Sequence, residues 1–430
     1  MVSPAVVVVL MVTVFVVAAM AARVPLGLAL ALAATVGGLV GGLASELPRH
    51  LLEGSLGYLD TMLIIASAII FVQATTLSGG LPALASALVV RFGRRPLLLL
   101  PLLAVVVMLP GMITGSSTAA VLTTGALVAP VLIRLGLDRD RAGAFVAMAA
   151  IYGMLAPPVN IPAMLIGGGV DLPYVGLEPP LLLATVPLAL VTAWYLGLPA
   201  LGRSHQGSAG LSPEPPAAAA GESGPLGRHL VPWLTVALLM TAERWWPHSF
   251  LNLGLPLIFF IGAVVAWVLD GRRFAWHRCA REAVGQAIPV LAILAGVGMF
   301  IQVFTATGGR GWLVVELLSM PALAQYGAMA VGLPLFGAVS AFGAASVLGV
   351  PFLLAFLGRN DLVTTAGLSI VAGVGDLVPP TALAGIFAAQ VVNEPSYWKV
   401  LRRALVPALL TLLTGVALVV WAEPIGRFLF

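Results

Sequence analysis

The chain has 430 residues, of which 60% are hydrophobic and only 9% charged, with a mean hydropathy of +1.08. Soluble domains carry about 25% charged residues, so this composition excludes a soluble enzyme or binding module and predicts a polytopic membrane protein. The net charge of +4 does not point to nucleic acid, because the arginines sit at the ends of apolar blocks, where topology accounts for them, and the single cysteine, Cys279, makes neither an internal disulfide nor a metal site.

In chain order, Val6 to Ala22 reads as a first span and not a signal peptide, since it has no basic residue ahead of it and no small-residue cleavage site. Leu26 to Leu43 and Met62 to Leu77 follow as further spans, a crossing needing about 20 mostly apolar residues. Leu81 to Val90 is too short to cross and predicts an interfacial helix. Leu97 to Leu109 covers only roughly 20 Å of a core about 30 Å thick. It ends in Pro-Gly, passes through ITGSST and returns from Val121 to Leu132, the pattern of a re-entrant helical hairpin.

Ala142 to Leu155 is interrupted by APPVN at 156–160 and resumed by IPAMLIGGG. Tandem proline removes backbone donors and clashes with the preceding turn, which predicts a broken transmembrane helix. Leu181 to Leu198 spans back. Gly202 to Gly227, rich in Pro, Ser, Gly and Ala, reads as a flexible linker between repeats at 1–201 and 228–430.

The second half repeats the first. FVQATTLSGG from Phe71 returns as FIQVFTATGG from Phe300, 229 residues later, and GMLAPP from Gly153 returns as GDLVPP from Gly375. GSSTAAVLTTGALVAPVL is loosely answered by GAVSAFGAASVLGVPFLL from Gly337, and VPLAL around Pro187 by VPALL around Pro407. Hairpins are therefore expected at about 97–135 and 323–358, and broken helices at about 142–169 and 362–392. Each half makes an odd number of crossings, so the second repeat is inverted. With the N-terminus outside, only Arg49, Arg244, Arg310, Arg359 and Arg427 of the 21 basic residues stay outside, which satisfies the positive-inside rule. All-α inverted repeats with broken helices are how many secondary transporters place substrate and ions near the midplane.

Irregular backbone survives in lipid only where it is buried in protein or lines a cavity, so the broken points are the candidate site. A half-helix N-terminus leaves unpaired N–H groups and partial positive charge, which suits a carboxylate. Unwound carbonyls and hydroxyls suit Na+. In the first half Thr114, Ser116, Ser117 and Thr118 with Asn160 offer both. In the second, Ser340 lies between Gly337 and Gly343 with Ser346 beyond, and the break carries Asp376 and Thr381. The ordinary reading of the hydroxyls is back-bonding to helical carbonyls. Asp376 is sharper, because an intramembrane carboxylate is costly, and the alternative is one held by backbone donors or near a water-filled vestibule. Met154 stands at its place in the first half.

Catalysis is not indicated. His50, His205, His229, His248 and His277 fall in loops or at block ends, and no HExxH, GxSxG or cysteine pair is present. There is no nucleotide fingerprint, which leaves an ion gradient as the energy source, and duplicated hairpins fit alternating access better than a fixed pore.

APPVNIPAMLIGGGVDLPYVGLEPPLLLATVPLAL following a GSS hairpin tip, and the closing run GDLVPPTALAGIFAAQVVNEPSYWKVLRRALVPALLTLL, resemble the large membrane subunit of TRAP transporters, the DctM-like proteins of the wider ion-transporter superfamily. The resemblance covers nearly the whole chain. It implies an elevator-type, Na+-coupled importer (symporter) of small organic acids such as C4-dicarboxylates in the bacterial inner membrane, acting with a small membrane subunit and a periplasmic substrate-binding protein, with no cofactor beyond the coupling ion. A self-sufficient Na+- or H+-coupled carboxylate carrier is the alternative. Carried over, the implied Na+ sites draw on Ser117, Thr118, Gly153, Pro157 and Asn160 in the first half and on Ser340, Gly343, Pro379 and Thr381 in the second, to which the cost of an intramembrane carboxylate adds Asp376. Substrate lies between the tips, against Thr114, Ser116, Ser117, Asn160, Ser340 and Thr381. The chain departs from the family pattern in carrying Ala119 and Ala120 after the first tip, where an acidic residue often follows, and Asp376 at a place expected to be apolar.

Overall fold

A computed structural model describes residues 2–204, 226–245, 253–271 and 273–430. Most of the expected linker, with His205 and His248, lies outside the described residues. The first half opens with α1 (Pro4–Val16), which runs on through a π turn, then α2 (Leu26–Val40), α3 (Leu47–Leu56), α4 (Leu59–Leu77) and α5 (Gly80–Phe92). A hairpin follows: α6 (Pro96–Thr114), then α7 (Ser117–Ala120), which continues through a π turn (Val121–Gly125) into α8 (Ala126–Arg134). The first broken helix is α9 (Arg139–Leu155) and α10 (Ile161–Gly168), and α11 (Glu178–Ser204) closes the half.

The second half follows the same order. It has α12 (Leu226–Trp245), α13 (Gly254–Leu269), α14 (Trp276–Ala306) and α15 (Gly309–Ser319). Its hairpin is α16 (Ala322–Gly337), then α17 (Ala341–Ala344), a π turn (Ala345–Gly349) and α18 (Val350–Ala355). Its broken helix is α19 (Asp361–Gly373), a 3-10 turn (Val374–Leu377) and α20 (Leu383–Val391), followed by α21 (Tyr397–Val420) and α22 (Ala422–Leu429). The stretch 47–77, split into α3 and α4, has its counterpart 229 residues on in the single helix α14. Seven helices among the described residues are long and apolar enough to cross a membrane.

The first hairpin differs from expectation in arm length. Its arms are 19 and 18 residues long, each long enough to span, because α6 does not stop at Leu109 but passes through Pro110 and Gly111 to Thr114. Proline inside a membrane helix is tolerated when its freed carbonyl groups find other donors. The carbonyl that Pro110 frees is that of Val106; the Thr114 hydroxyl, which donates to the Pro110 carbonyl at 2.7 Å, makes the ordinary back-bond one turn later.

The two broken helices form the centre. Every residue of α9 from Ala142 to Leu155 is buried, as is every residue of α19 from Val363 to Gly373, the mark of a helix enclosed on all sides. Each is crossed by the first arm of its own hairpin through glycine. A Cβ on Gly153 would lie 2.5 Å from the Met108 carbonyl oxygen, and one on Gly375 2.5 Å from the Gly337 carbonyl carbon. The second pieces exchange partners: α20 packs on α9 and α7, while α10 packs on α19 and α17. This exchange draws both hairpin tips and both breaks into one region.

Candidate functional site

Each hairpin tip is a helix start. After α6, Gly115 takes φ 64°, and a Cβ there would also meet Ile161 Cγ1 at 2.5 Å, so only glycine fits. Ser116 then caps α7, its Oγ accepting from the Ala119 N–H at 3.2 Å. Ser340 caps α17 in the same way, accepting from the Gly343 N–H at 3.1 Å. The first two N–H groups of each helix, on Ser117 and Thr118 and on Ala341 and Phe342, have no carbonyl partner among the described residues, as helix geometry requires.

The tips are tied to the breaks of their own halves. The Val159 N–H donates to the Met112 carbonyl at 2.9 Å. The Thr381 N–H and hydroxyl both donate to the Ala338 carbonyl, at 3.2 and 2.7 Å. Pro157-Pro158 and Pro379-Pro380 each carry a cis peptide.

The first break is closed by Asn160, which is fully buried. Its Oδ1 accepts from the Ala163 N–H at 2.9 Å and caps α10, while Nδ2 donates to the Leu155 carbonyl at 2.8 Å and to Ser369 Oγ at 3.2 Å. The second break restarts at Ala382 with φ 39° and no side-chain cap. Its 3-10 turn carries Asp376, whose Oδ2 accepts from Ser117 Oγ at 2.5 Å, a bond between residues 259 apart in the chain.

A cavity of about 450 Å³ lies where these parts meet. All four partnerless N–H groups belong to residues that line it, together with Ser116, Ser340, Asp376 and Thr381. Opposite them stand Leu26 of α2 and Gln286 and Pro289 of α14.

Helical hairpins and broken helices around a polar cavity occur in several carriers, and the sequence decides among them. Residues 12–425 match the family model described as the tripartite ATP-independent periplasmic transporter, DctM component. The chain belongs to the DctM family. Among solved structures, this DctM chain is similar to the Alcanivorax borkumensis YdaH transporter, with a TM-score of 0.60 and 16% identity over 88% of each chain. It is likewise similar to MtrF of Neisseria gonorrhoeae, whose structure illuminates a class of antimetabolite efflux pumps, with a TM-score of 0.60 and 16% identity over 88% of this chain and 84% of that one. At such identity the likeness shows the fold alone. No curated protein sequence matches. The DctM chain is thus a multi-pass membrane transporter component.

Of the residues singled out from sequence, the fold brings Ser116, Ser117, Thr118, Ser340, Asp376 and Thr381 to the cavity of this DctM chain. Thr114 and Asn160 stand behind it, their polar atoms engaged within the protein. Gly153 serves the crossing with α6, and Pro157, Gly343 and Pro379 shape the breaks and a tip without lining the cavity. Ser346 donates to the Gly343 carbonyl at 3.0 Å, the ordinary back-bond.

Thr123 and Gln286 are the polar cavity residues that the motifs passed over; the Thr123 hydroxyl back-bonds to the Ala119 carbonyl at 2.6 Å, so Gln286 is the informative one. It belongs to a polar chain: Arg278 to Glu282 at 2.8 Å, Glu282 to Gln73 at 2.5 Å, and Gln73 to Gln286 at 3.1 Å. The offset of 229 maps Arg278, Glu282 and Gln302 onto Arg49, Glu53 and Gln73, and there Arg49 pairs with Glu53 at 2.7 Å while Gln302 lies 3.5 Å from Glu53. RHLLE and RCARE in matching register were the available signal. Gly57 takes the place that Gln286 has in the second half.

Proposed function

We propose that this DctM chain is the large permease subunit of a Na+-coupled importer of small organic acids, C4-dicarboxylates or close relatives. The observation that carries the reading is the pair of helix starts, Ser117–Thr118 and Ala341–Phe342, with four partnerless N–H groups on one cavity. A helix N-terminus attracts a carboxylate through its free N–H groups and macrodipole, and two of them suit an acid anionic at both ends. Among the described residues no three His, Cys, Asp or Glu side chains converge. Ser117, Asp376 and Thr381 instead supply hard oxygen donors of the kind Na+ takes, with Thr118 and Ser340 beside them.

In this reading the two halves are inverted repeats, the N-terminus is outside, and the hairpins with their breaks move as an elevator against α2, α4, α13 and α14. The chain sits in the bacterial inner membrane, with a small membrane subunit and a periplasmic substrate-binding protein as partners. A self-sufficient proton-coupled carrier is the second reading. It is favoured by the Ser117–Asp376 bond, because a protonated carboxyl there would donate to the serine that now donates to it.

The test is the thermal stability of the purified protein in Na+ against K+ at equal ionic strength, for wild type, Ser117→Ala and Asp376→Asn. A ligand bound only by the folded state adds about 2.7 kcal/mol at a hundredfold excess over Kd. A Na+-specific upshift diminished by either variant supports ion coupling at this place. Equal melting in the two salts with wild type sinks Na+ coupling and makes pH the next variable.

A further inference from the structure

The α2–α14 wall of the cavity is mostly apolar, built from Leu26, Pro289, Val290 and Ile293, and Gln286 is the polar side chain on it. An amide has two nearly isosteric ends, so its direction is read from its partners. Here the partners leave one answer. Arg278 Nε donates to Glu282 Oε1 at 2.8 Å, and an ionised carboxylate only accepts. Gln73 must therefore offer Nε2–H to Glu282 Oε2, at 2.5 Å. Gln73 Oε1 is then turned to Gln286, which must donate from its own Nε2 at 3.1 Å. A charge two links away thus fixes the Gln286 amide; its Oε1 has no protein partner among the described residues, and the residue lines the cavity.

We propose that Gln286 is a specificity residue whose fixed carbonyl accepts a hydrogen bond from a hydroxyl or amine on the transported acid, so that the substrate class is a carboxylate bearing such a donor and not a plain dicarboxylate. The proposal rests on the organic-acid reading above and narrows it. A plain dicarboxylate satisfies the N–H groups at the tips but faces the wall with its hydrocarbon middle, leaving the Gln286 oxygen unmet. A hydroxy or amino acid meets both. Gln286 is exposed, so water can meet its oxygen when the substrate does not, and the preference for the acid with the matching donor is that of one hydrogen bond made in place of water.

The probes are matched acid pairs differing by one hydroxyl: L-malate and succinate, 2-hydroxyglutarate and glutarate, L-lactate and propionate. Affinities are measured by titration calorimetry on the purified full chain at fixed Na+. In wild type the hydroxy acid of the best-binding pair is expected to bind about tenfold more tightly than its partner. In Gln286→Leu the ratio falls to about one while the plain acid keeps its affinity. Gln73→Leu leaves the cavity surface intact but frees the amide to turn, and lowers the ratio too. Should the leucine variant at 286 fail to fold, Gln286→Asn shortens the reach and is expected to lower the ratio likewise. Equal affinities within every pair in wild type, or a ratio that survives both the Gln286 and the Gln73 substitutions, overturns the proposal while leaving the carboxylate reading in place. No heat from any acid removes the carboxylate reading, and this proposal with it.

Discussion

At the first break the chain restarts with Asn160 buried and both ends of its amide engaged, whereas at the second it restarts with Ala382 in a left-handed conformation and places Asp376 in the cavity wall. Both follow a Pro-Pro pair, and both are pinned to their hairpin through a carbonyl of the first arm. The difference shows how two elements built on the same order divide their labour. The first break spends its polar side chain on closing the backbone, satisfying the Leu155 carbonyl, whose helical donor, the Val159 N–H, is turned to Met112 instead. The second leaves its side chain to the cavity, and the partner that holds Asp376 is Ser117 of the other half. The cavity thus takes both hairpin tips, with Ser117 of the first bonded to Asp376 of the second break.

That division can be broken by substitution. Asn160→Ala removes a helix cap and strands a buried carbonyl, which should lower stability by about 3 kcal/mol, while any Na+ response of the melting temperature persists in sign and size. Loss of the response along with stability would place the first break in the ion site as well. The glycine crossings should show no such asymmetry: Gly153→Ala and Gly375→Ala each force a Cβ to 2.5 Å from backbone atoms, and each should lower stability by about 2 kcal/mol, read as equal shifts in denaturant midpoint. Ser117→Ala removes one hydrogen bond to a carboxylate, expected to weaken ion affinity by roughly tenfold, whereas Thr114→Val, behind the cavity, should leave that affinity unchanged in the same titration. Smallest are the two caps: Ser116→Ala and Ser340→Ala should each cost about 1 kcal/mol, and a marked inequality between them would show that one tip is held by contacts beyond its cap.

Much of this was legible in the sequence for a physical reason. Gly, Ser, Thr and tandem proline are so poorly suited to an uninterrupted membrane helix that their clusters mark the tips and breaks directly, and Ser116, Ser117, Ser340 and Asp376 stand out on that basis alone. Arm length was not legible, because a proline such as Pro110 ends a helix in water yet is accommodated in α6. Nor was the separation of Asn160 from Asp376 into joint and cavity wall, since a buried amide that closes backbone and one that faces a ligand look alike in one dimension. Pairings between the two halves, Ser117 with Asp376 and Gln73 with Glu282, depend on how the halves interlock. A repeat period does not contain that information.

Gly57 stands where the offset of 229 places Gln286. In the proposed carrier, where the halves exchange roles, the Gln286 amide has no equivalent at the corresponding place in the first half. The proposed hold of the hairpin tips on a carboxylate is the same in either position, whereas the amide that would tell a hydroxylated acid from its reduced analogue stands on one side alone. On that proposal recognition is directional although binding is not, and a competitor lacking the hydroxyl should compete about tenfold less well from one face of the membrane than from the other.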